Sequence, residues 1–398
     1  MNDRERWLLP EGIEELLPPD AGRVDALCRR TLDLFRSWGY ELVMPPLVEY
    51  LESLLTGTGE DLDLQTFKVT DQLNGRMMGI RADTTPQVAR IDAHRLRSDL
   101  PVRLCYAGFV LHTRPGGPGG TRAPLQLGAE LYGHEGRESE AEILALMLKT
   151  LQGAGVAGVH VDLGHVGIYR GLVDRLQLTA EQEKVLFASL QKKSAGELRE
   201  EVESWSLPAR DADMLFSLIN LNGGREVLDE ARRALAHAGP AVLACIDDLA
   251  RTAELTDRQF RRAPLYFDLA ELRGYRYYTG LTFAAYVPGR GQGIAFGGRY
   301  DGIGAAFGRP RPAVGFSTDM LLIYSLLDRA EAPPSAVFAP WSDVPGLQEA
   351  IDALRAEGNI VICQLPGQQG SAADMNCDRE LVLERGRWIT RKITTHRV

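Results

Sequence analysis

Apolar positions along the chain recur with two periods, one helical and one of strands. Across residues 21–38, Val24, Leu27, Cys28, Thr31, Phe35 and Trp38 follow i, i+3, i+4 spacing, which predicts an amphipathic helix stopped by Gly39. Residues 40–44 read as a strand ended by Pro45 and Pro46, since proline cannot continue a central ladder. Residues 67–69 and 77–81 predict a hairpin turning over 71–75. Thr85 and Pro86 then read as the N-cap and first position of a helix over 86–97. Residues 106–133 predict two strands joined by a Gly/Pro-rich loop, the first ending in the run 110–115. Gln126 and Glu130 share one face of the second strand, being four apart in a run of period two.

Beyond this hairpin, 139–151 predicts a helix and 160–163 a strand. Residues 167–262 are almost wholly helical in pattern, with breaks near 206–208 and 222–224. Strands resume at 265–269 and 281–287, so the helical block reads as an insertion. A Gly-rich turn at 297–302, a strand at 314–316 and a helix at 320–327 close the main body. RAEAPPS, 329–335, reads as a linker. After it come a strand at 336–339, a helix at 347–356, a strand at 360–364 and a hairpin of 380–384 with 388–392. The expected organisation is a main body over 1–328, with its helical insertion at 167–262, and a small α+β appendage over 336–398.

A length of 398 residues accommodates such a division and a large core. Hydrophobic content of 44% and charged content of 25% are those of an ordinary soluble protein. No apolar run reaches membrane-spanning length, and the start, MNDRERWLLPEGIEELLPPD, is too charged and Pro-rich for a signal peptide. A cytoplasmic location is the default expectation. Cys28, Cys105, Cys245, Cys363 and Cys377 are scattered and form no CxxC, so they read as reduced core thiols, not a disulfide framework or a metal site. A net charge of −9 without a Lys/Arg block makes nucleic acid a poor partner.

Chemistry concentrates in four segments. They are RADTT at 81–85, QLGAE at 126–130, RGYRYYTG at 273–280 and GGRYDG at 297–302. Asp83 and Thr85 sit at a strand-to-helix corner, where side chains either face a ligand or only cap the helix. In order and spacing the four segments resemble the RPEGT, QFGVE, RGLDYYTG and GGRYDG motifs of the class II histidyl-tRNA synthetase catalytic core, over about residues 8–328. The resemblance implies an α+β fold, with an antiparallel class II aminoacyl-tRNA synthetase-like sheet core flanked by helices, and dimerisation through the first helix and strand.

The departures from that family fall on one side. Where it carries an FRRE-like run, this chain has Val110, Leu111, His112 and Thr113. Leu111 thus replaces the arginine that grips the ATP α-phosphate, and Thr113 the glutamate on the adenine side. The third class II motif, AVGFxxGxER, reads AVGFSTDMLL at 313–322, with Leu322 in place of the second ATP-binding arginine. Arg276 replaces the aspartate of RGLDYYTG. Leucine offers a phosphoryl transition state neither charge nor donor, and one lost donor of this kind costs about 3–4 kcal/mol. The resemblance therefore implies a dead ATP half.

The histidine half keeps suitable residue types: Asp83, Thr85, Gln126, Glu130, Arg273, Tyr277 and Tyr278. By resemblance, Asp83, Gln126 and Glu130 would hold the ammonium group, Glu130 or Tyr278 an imidazole nitrogen, and Arg273 the carboxylate. The appendage is also shorter than the family's anticodon-binding domain, so no tRNA partner is expected. A core with these losses resembles the regulatory subunit family of ATP phosphoribosyltransferase. That resemblance implies a non-catalytic chain, dimeric within a hetero-octamer, required by a short-form catalytic subunit in the first step of histidine biosynthesis. L-histidine would be its feedback effector. It implies no cofactor in this chain, the ATP and Mg²⁺ chemistry belonging to the partner. Two rivals remain. One is an adenylate- or amide-forming enzyme whose Arg114 and Arg122 supply phosphate contacts, against the plainer reading of solvated loop charge. The other is an RNA-binding stress regulator on the same core.

Overall fold

The computed structural model describes residues 7–57, 60–117, 120–327 and 335–393. It divides into two compact units, Met1–Leu327 and Asp328–Val398. The expected linker at 329–335 lies outside the described residues apart from Ser335.

The first unit opens with α1 (Asp20–Ser37), whose buried face is Val24, Leu27, Cys28, Thr31 and Phe35, as its spacing predicts. The strand expected at 40–44 shortens to β1 (Glu41–Leu42). Then come β2 (Val48–Tyr50), α2 (Leu51–Leu54), α3 (Glu60–Gln65), β3 (Phe67–Thr70) and β4 (Met77–Ile80), the last two forming the expected hairpin. Next is α4 (Thr85–Ile91), continued by a π-helical turn at Asp92–Leu96. Thr84, not Thr85, occupies the N-cap, because the Thr85 hydroxyl is engaged across the sheet.

The central hairpin is β5 (Val102–Phe109) and β6 (Leu125–Tyr132), so the run 110–115 lies beyond the strand and not within it. After it come α5 (Arg137–Ala154) and β7 (His160–His165). The helical block comprises α6 (Val166–Leu176), α7 (Ala180–Lys192), α8 (Ala195–Ser204), α9 (Ala209–Asn220), α10 (Glu226–Ala234) and α11 (Pro240–Gln259). The break near 222–224 is β8 (Asn222–Gly223), a sheet-edge strand and not merely a loop. The unit closes with β9 (Leu265–Asp268), β10 (Leu281–Tyr286), β11 (Ala295–Arg299), α12 (Gly302–Ala306), β12 (Ala313–Asp319) and α13 (Met320–Ser325). Gly297 and Gly298, expected in a turn, lie inside β11.

Among the described residues nine strands form one sheet in the order β1-β5-β6-β12-β11-β10-β7-β9-β8, and β2-β4-β3 form a second. In the large sheet, among the described residues, only β1–β5 and β7–β9 pair in parallel. Helix α5 packs between β12, α1 and α11, which is why Ile143 to Leu148 are buried all round. The register places Glu130 between Leu104 and Gly315, and Gln126 between Gly108 and Asp319. The second unit is a four-stranded sheet, β14 (Ile360–Cys363), β13 (Ala336–Ala339), β15 (Arg379–Glu384) and β16 (Arg387–Lys392), with α14 (Leu347–Ala356) packed on it.

Candidate functional site

A cavity of about 850 Å³ opens over the middle of the large sheet. Asp83, Thr85, Glu130, Arg273, Tyr277 and Tyr278 line it, together with Tyr300, Gly315 and Ser317. Gln126 does not reach the wall and instead stands behind Asp83. Its Nε2 donates to Asp83 Oδ1 at 2.7 Å, and its Oε1 accepts the Thr84 amide at 2.9 Å. The Thr85 amide donates to the same Asp83 oxygen at 3.1 Å. Strand β6 thus holds the carboxylate of the β4–α4 corner through Gln126.

Glu130 is the floor of the cavity and is 1% exposed. Its Oε1 accepts the Thr85 hydroxyl at 3.0 Å and the Tyr106 hydroxyl at 3.1 Å, and its Oε2 accepts the Tyr300 hydroxyl. Burial pushes its carboxyl up to about 8, even though these donors favour the ionised form. Gly315, its neighbour on β12, makes room: a Cβ there would overlap Glu130 Oε2. Tyr106 and Tyr300 received no role from the sequence. Tyr300 lies within GGRYDG, but its contact with Glu130, like the placing of Tyr106 on the sheet face of Gln126 and Glu130, comes from packing and register.

Tyr277 stacks on Tyr300, with ring centroids 5.1 Å apart and planes at 19°. Among the described residues its buried hydroxyl has no partner, and burial beside Glu130 and Asp83 drives its pKa well above the usual phenol value. An unpaired buried hydroxyl costs about 1–3 kcal/mol, so the position fits a group that receives a ligand's hydrogen bond. Tyr278 packs its ring on Gly274, whose φ of +64° and lack of a Cβ both serve this turn. Arg273 is exposed at the cavity mouth. Its guanidinium lies over the Phe296 ring at 4.8 Å.

The nucleotide side is differently built. The His112 Nε2–H donates to the Ala82 carbonyl at 2.8 Å, and Thr113 Oγ1 donates to the Leu64 carbonyl at 2.7 Å. Leu322 packs against the apolar core. Arg122 donates from Nε to the His112 carbonyl at 3.0 Å and from Nη1 to the Glu11 carbonyl at 3.1 Å, which makes it a bracket for the loop. Arg81 is likewise committed, to the carbonyls of Phe109 and Pro45, each at 3.0 Å. Arg114 is exposed. These residues do not fit the triphosphate of ATP, because leucines and a threonine stand where cationic and acidic contacts belong. Among the described residues no His/Cys/Asp/Glu group could hold a metal ion, and no helix is long and apolar enough to cross a membrane.

The nine-stranded sheet and its half-polar pocket define a class II histidyl-tRNA synthetase-like core. Residues 12–323 match the histidyl-tRNA synthetase family model, and residues 334–391 match that of the ATP phosphoribosyltransferase subunit HisZ C-terminal domain. The chain is 56% identical over 382 residues to the ATP phosphoribosyltransferase regulatory subunit of Thioalkalivibrio sulfidiphilus, covering 96% of this chain and 97% of the relative. It is 54% identical over 391 residues to that of Alkalilimnicola ehrlichii, covering 98% of each. The solved ATP phosphoribosyltransferase regulatory subunit/histidyl-tRNA synthetase from Bacillus halodurans C superposes with a TM-score of 0.83 at 28% identity, over 93% of this chain and 96% of that one. Histidyl-tRNA synthetase from Nostoc shares the fold, with a TM-score of 0.80 at 18% identity over 97% of each chain. The chain belongs to the ATP phosphoribosyltransferase regulatory subunit family.

Proposed function

We propose that this chain is the non-catalytic subunit that a short-form ATP phosphoribosyltransferase requires for the first step of histidine biosynthesis, and that its pocket senses L-histidine for feedback inhibition. One observation carries the reading. A buried carboxylate with three hydroxyl donors, Glu130, faces a cavity that also holds the unpartnered Tyr277 hydroxyl, while leucines occupy the nucleotide side. Buried polar clusters of this kind are costly unless satisfied. In this reading Glu130 and Asp83 receive the cationic end of histidine, Tyr277 and Tyr278 contact the imidazole, and Arg273 at the mouth takes the carboxylate. Thr85 orients Glu130, and Gln126 orients Asp83.

ATP and Mg²⁺ act in the partner, and this chain carries no cofactor. It works in the cytoplasm, as a dimer within a hetero-octamer, and without tRNA. Histidine inhibits by binding more tightly to an inactive arrangement of the assembly, since only differential affinity shifts an equilibrium. Co-purification with a short-form catalytic subunit, followed by assay with and without histidine, tests the proposal. Activity of the partner that neither needs this chain nor becomes histidine-sensitive with it would remove the reading. The adenylate-forming alternative loses its support in Arg122, whose guanidinium is spent on backbone carbonyls.

A further inference from the structure

Part of the cavity wall comes from outside the sheet: Phe187 and Gln191 of α7 line it beside the loop that carries Tyr277 and Tyr278. That loop, 272–279, contains no helix or strand; turn hydrogen bonds from the Tyr275, Tyr277 and Tyr278 amides shape it locally, and side chains tie it to its surroundings. Its inner side presents Tyr277 and Tyr278 to the cavity. Its outer side is held by the helical block. Arg170 of α6 donates from Nη2 to the carbonyls of Tyr275 at 2.6 Å and Tyr278 at 2.9 Å. The same guanidinium lies 4.9 Å over the Tyr275 ring. The Tyr275 hydroxyl donates to Glu183 Oε1 on α7 at 2.8 Å. The Tyr275 ring packs edge-on against Tyr169 at 5.0 Å and tilted against Phe187 at 5.6 Å. The Tyr169 hydroxyl in turn donates to the Glu183 carbonyl at 2.9 Å, joining α6 to α7 at this point.

One guanidinium therefore grips the backbone on both sides of Tyr277, and one aromatic ring bridges that grip to a helix which also touches the cavity. We propose that Arg170, Tyr275 and Glu183 are positioning residues through which the α6–α7 face of the helical block reads occupancy of the pocket. A ligand that engages Tyr277 and Tyr278 fixes the loop, and the loop fixes α7. By reciprocity, whatever fixes α7 changes affinity at the pocket by the same factor. The helical block is then the part of the chain that reports the bound state. This inference rests on histidine being the pocket's ligand.

The test is hydrogen exchange and calorimetry on the full-length chain, alone and with its catalytic partner, with and without histidine. Histidine is expected to protect both 272–279 and α7. Arg170→Ala should weaken histidine by about tenfold or more and abolish protection of α7. Tyr275→Phe keeps the ring and removes one hydrogen bond, and should reduce α7 protection with the fold intact. Glu183→Ala should match it, whereas Glu183→Gln, which keeps an acceptor, should restore wild-type coupling. A purely structural role would lower stability in Glu183→Ala without separating protection of α7 from protection of the loop. Histidine binding that protects the loop but not α7, with Tyr275→Phe and Arg170→Ala binding as wild type, overturns the inference and leaves the pocket reading standing. Absence of histidine binding by the wild-type chain and its complex overturns the pocket reading, and this inference with it.

Discussion

Gly315 lies directly against the carboxylate of Glu130, paired with it across β12 and β6, so closely that no Cβ could be placed between them. The strand needs glycine there for the sake of a polar floor, since an ordinary side chain would fit the sheet better. Gly315→Ala should displace Glu130 from its three hydroxyl donors. Overpacking of this kind costs about 1–3 kcal/mol. The expected result is a lowered melting temperature together with loss of histidine binding by calorimetry. An alanine variant that binds histidine as the wild type does would show that the Glu130 geometry is not needed.

Glu130 makes stability depend on pH. Its folded value of about 8 lies above its ordinary 4.5, so between those limits the folded state holds a proton that the unfolded state has lost. Stability contributed by this group is complete below about 4.5 and is lost as pH rises towards 8. Glu130→Gln should flatten the decline in melting temperature across that window. His165 acts in the opposite sense. Burial, and then the nearby Arg137, Arg299 and Arg170, push it down to about 4, so it erodes stability as pH falls below its ordinary 6.5. A falling high-pH limb that survives in Glu130→Gln would assign the limb to other groups.

Proton linkage extends to the ligand. A cationic group brought beside Glu130 favours its ionised form, so histidine binding near pH 7 should release a proton. Calorimetry in buffers of different ionisation enthalpy reads this directly. Identical heats in all buffers would mean that Glu130 does not change its protonation.

Adenylate chemistry should be absent. Leu111 and Leu322 stand on the nucleotide side, the Arg122 and Arg81 guanidiniums are bound to carbonyls, and Arg114 is exposed on the loop, where solvent screens its charge. Pyrophosphate exchange with ATP and histidine is expected to stay at background. Measurable turnover would contradict the account of the nucleotide half.

The base of β11 is secured by a buried ion pair that the pocket depends on through Tyr300. Arg299 Nε donates to Glu140 Oε1 at 2.6 Å, and Thr252 Oγ1 donates to Glu140 Oε2 at 3.0 Å. Glu140→Ala leaves the Arg299 guanidinium buried without its main partner, at a cost of about 3–5 kcal/mol. Chemical denaturation should show this as a large fall in midpoint, and Glu140→Gln should recover part of it by keeping an acceptor.

Much of this was legible in the sequence where a single period or motif carried it. The face of α1, the shared face of Gln126 and Glu130, the β3–β4 hairpin and the strands of the second unit all follow from local pattern. Signals that depend on a neighbour were not. Thr85 looked like a cap until Glu130 claimed its hydroxyl across the sheet. The glycines of β11 read as a turn because strand propensity is low where a packed neighbour replaces the side chain. Gln126 looked like a ligand contact, and its hydrogen bond to Asp83 appears only once the β4–α4 corner is folded against β6. Tyr106, Tyr300 and Arg170 gain their roles only from register and packing, which no spacing along the chain encodes.

The most direct test of a pocket kept for sensing is titration of L-histidine into the wild-type chain, alone and complexed with its catalytic partner, alongside Glu130→Gln. The account predicts saturable binding to wild type, its loss in Glu130→Gln, and a parallel loss of histidine inhibition in the complex. Inhibition that persists with no histidine bound at this pocket would contradict it.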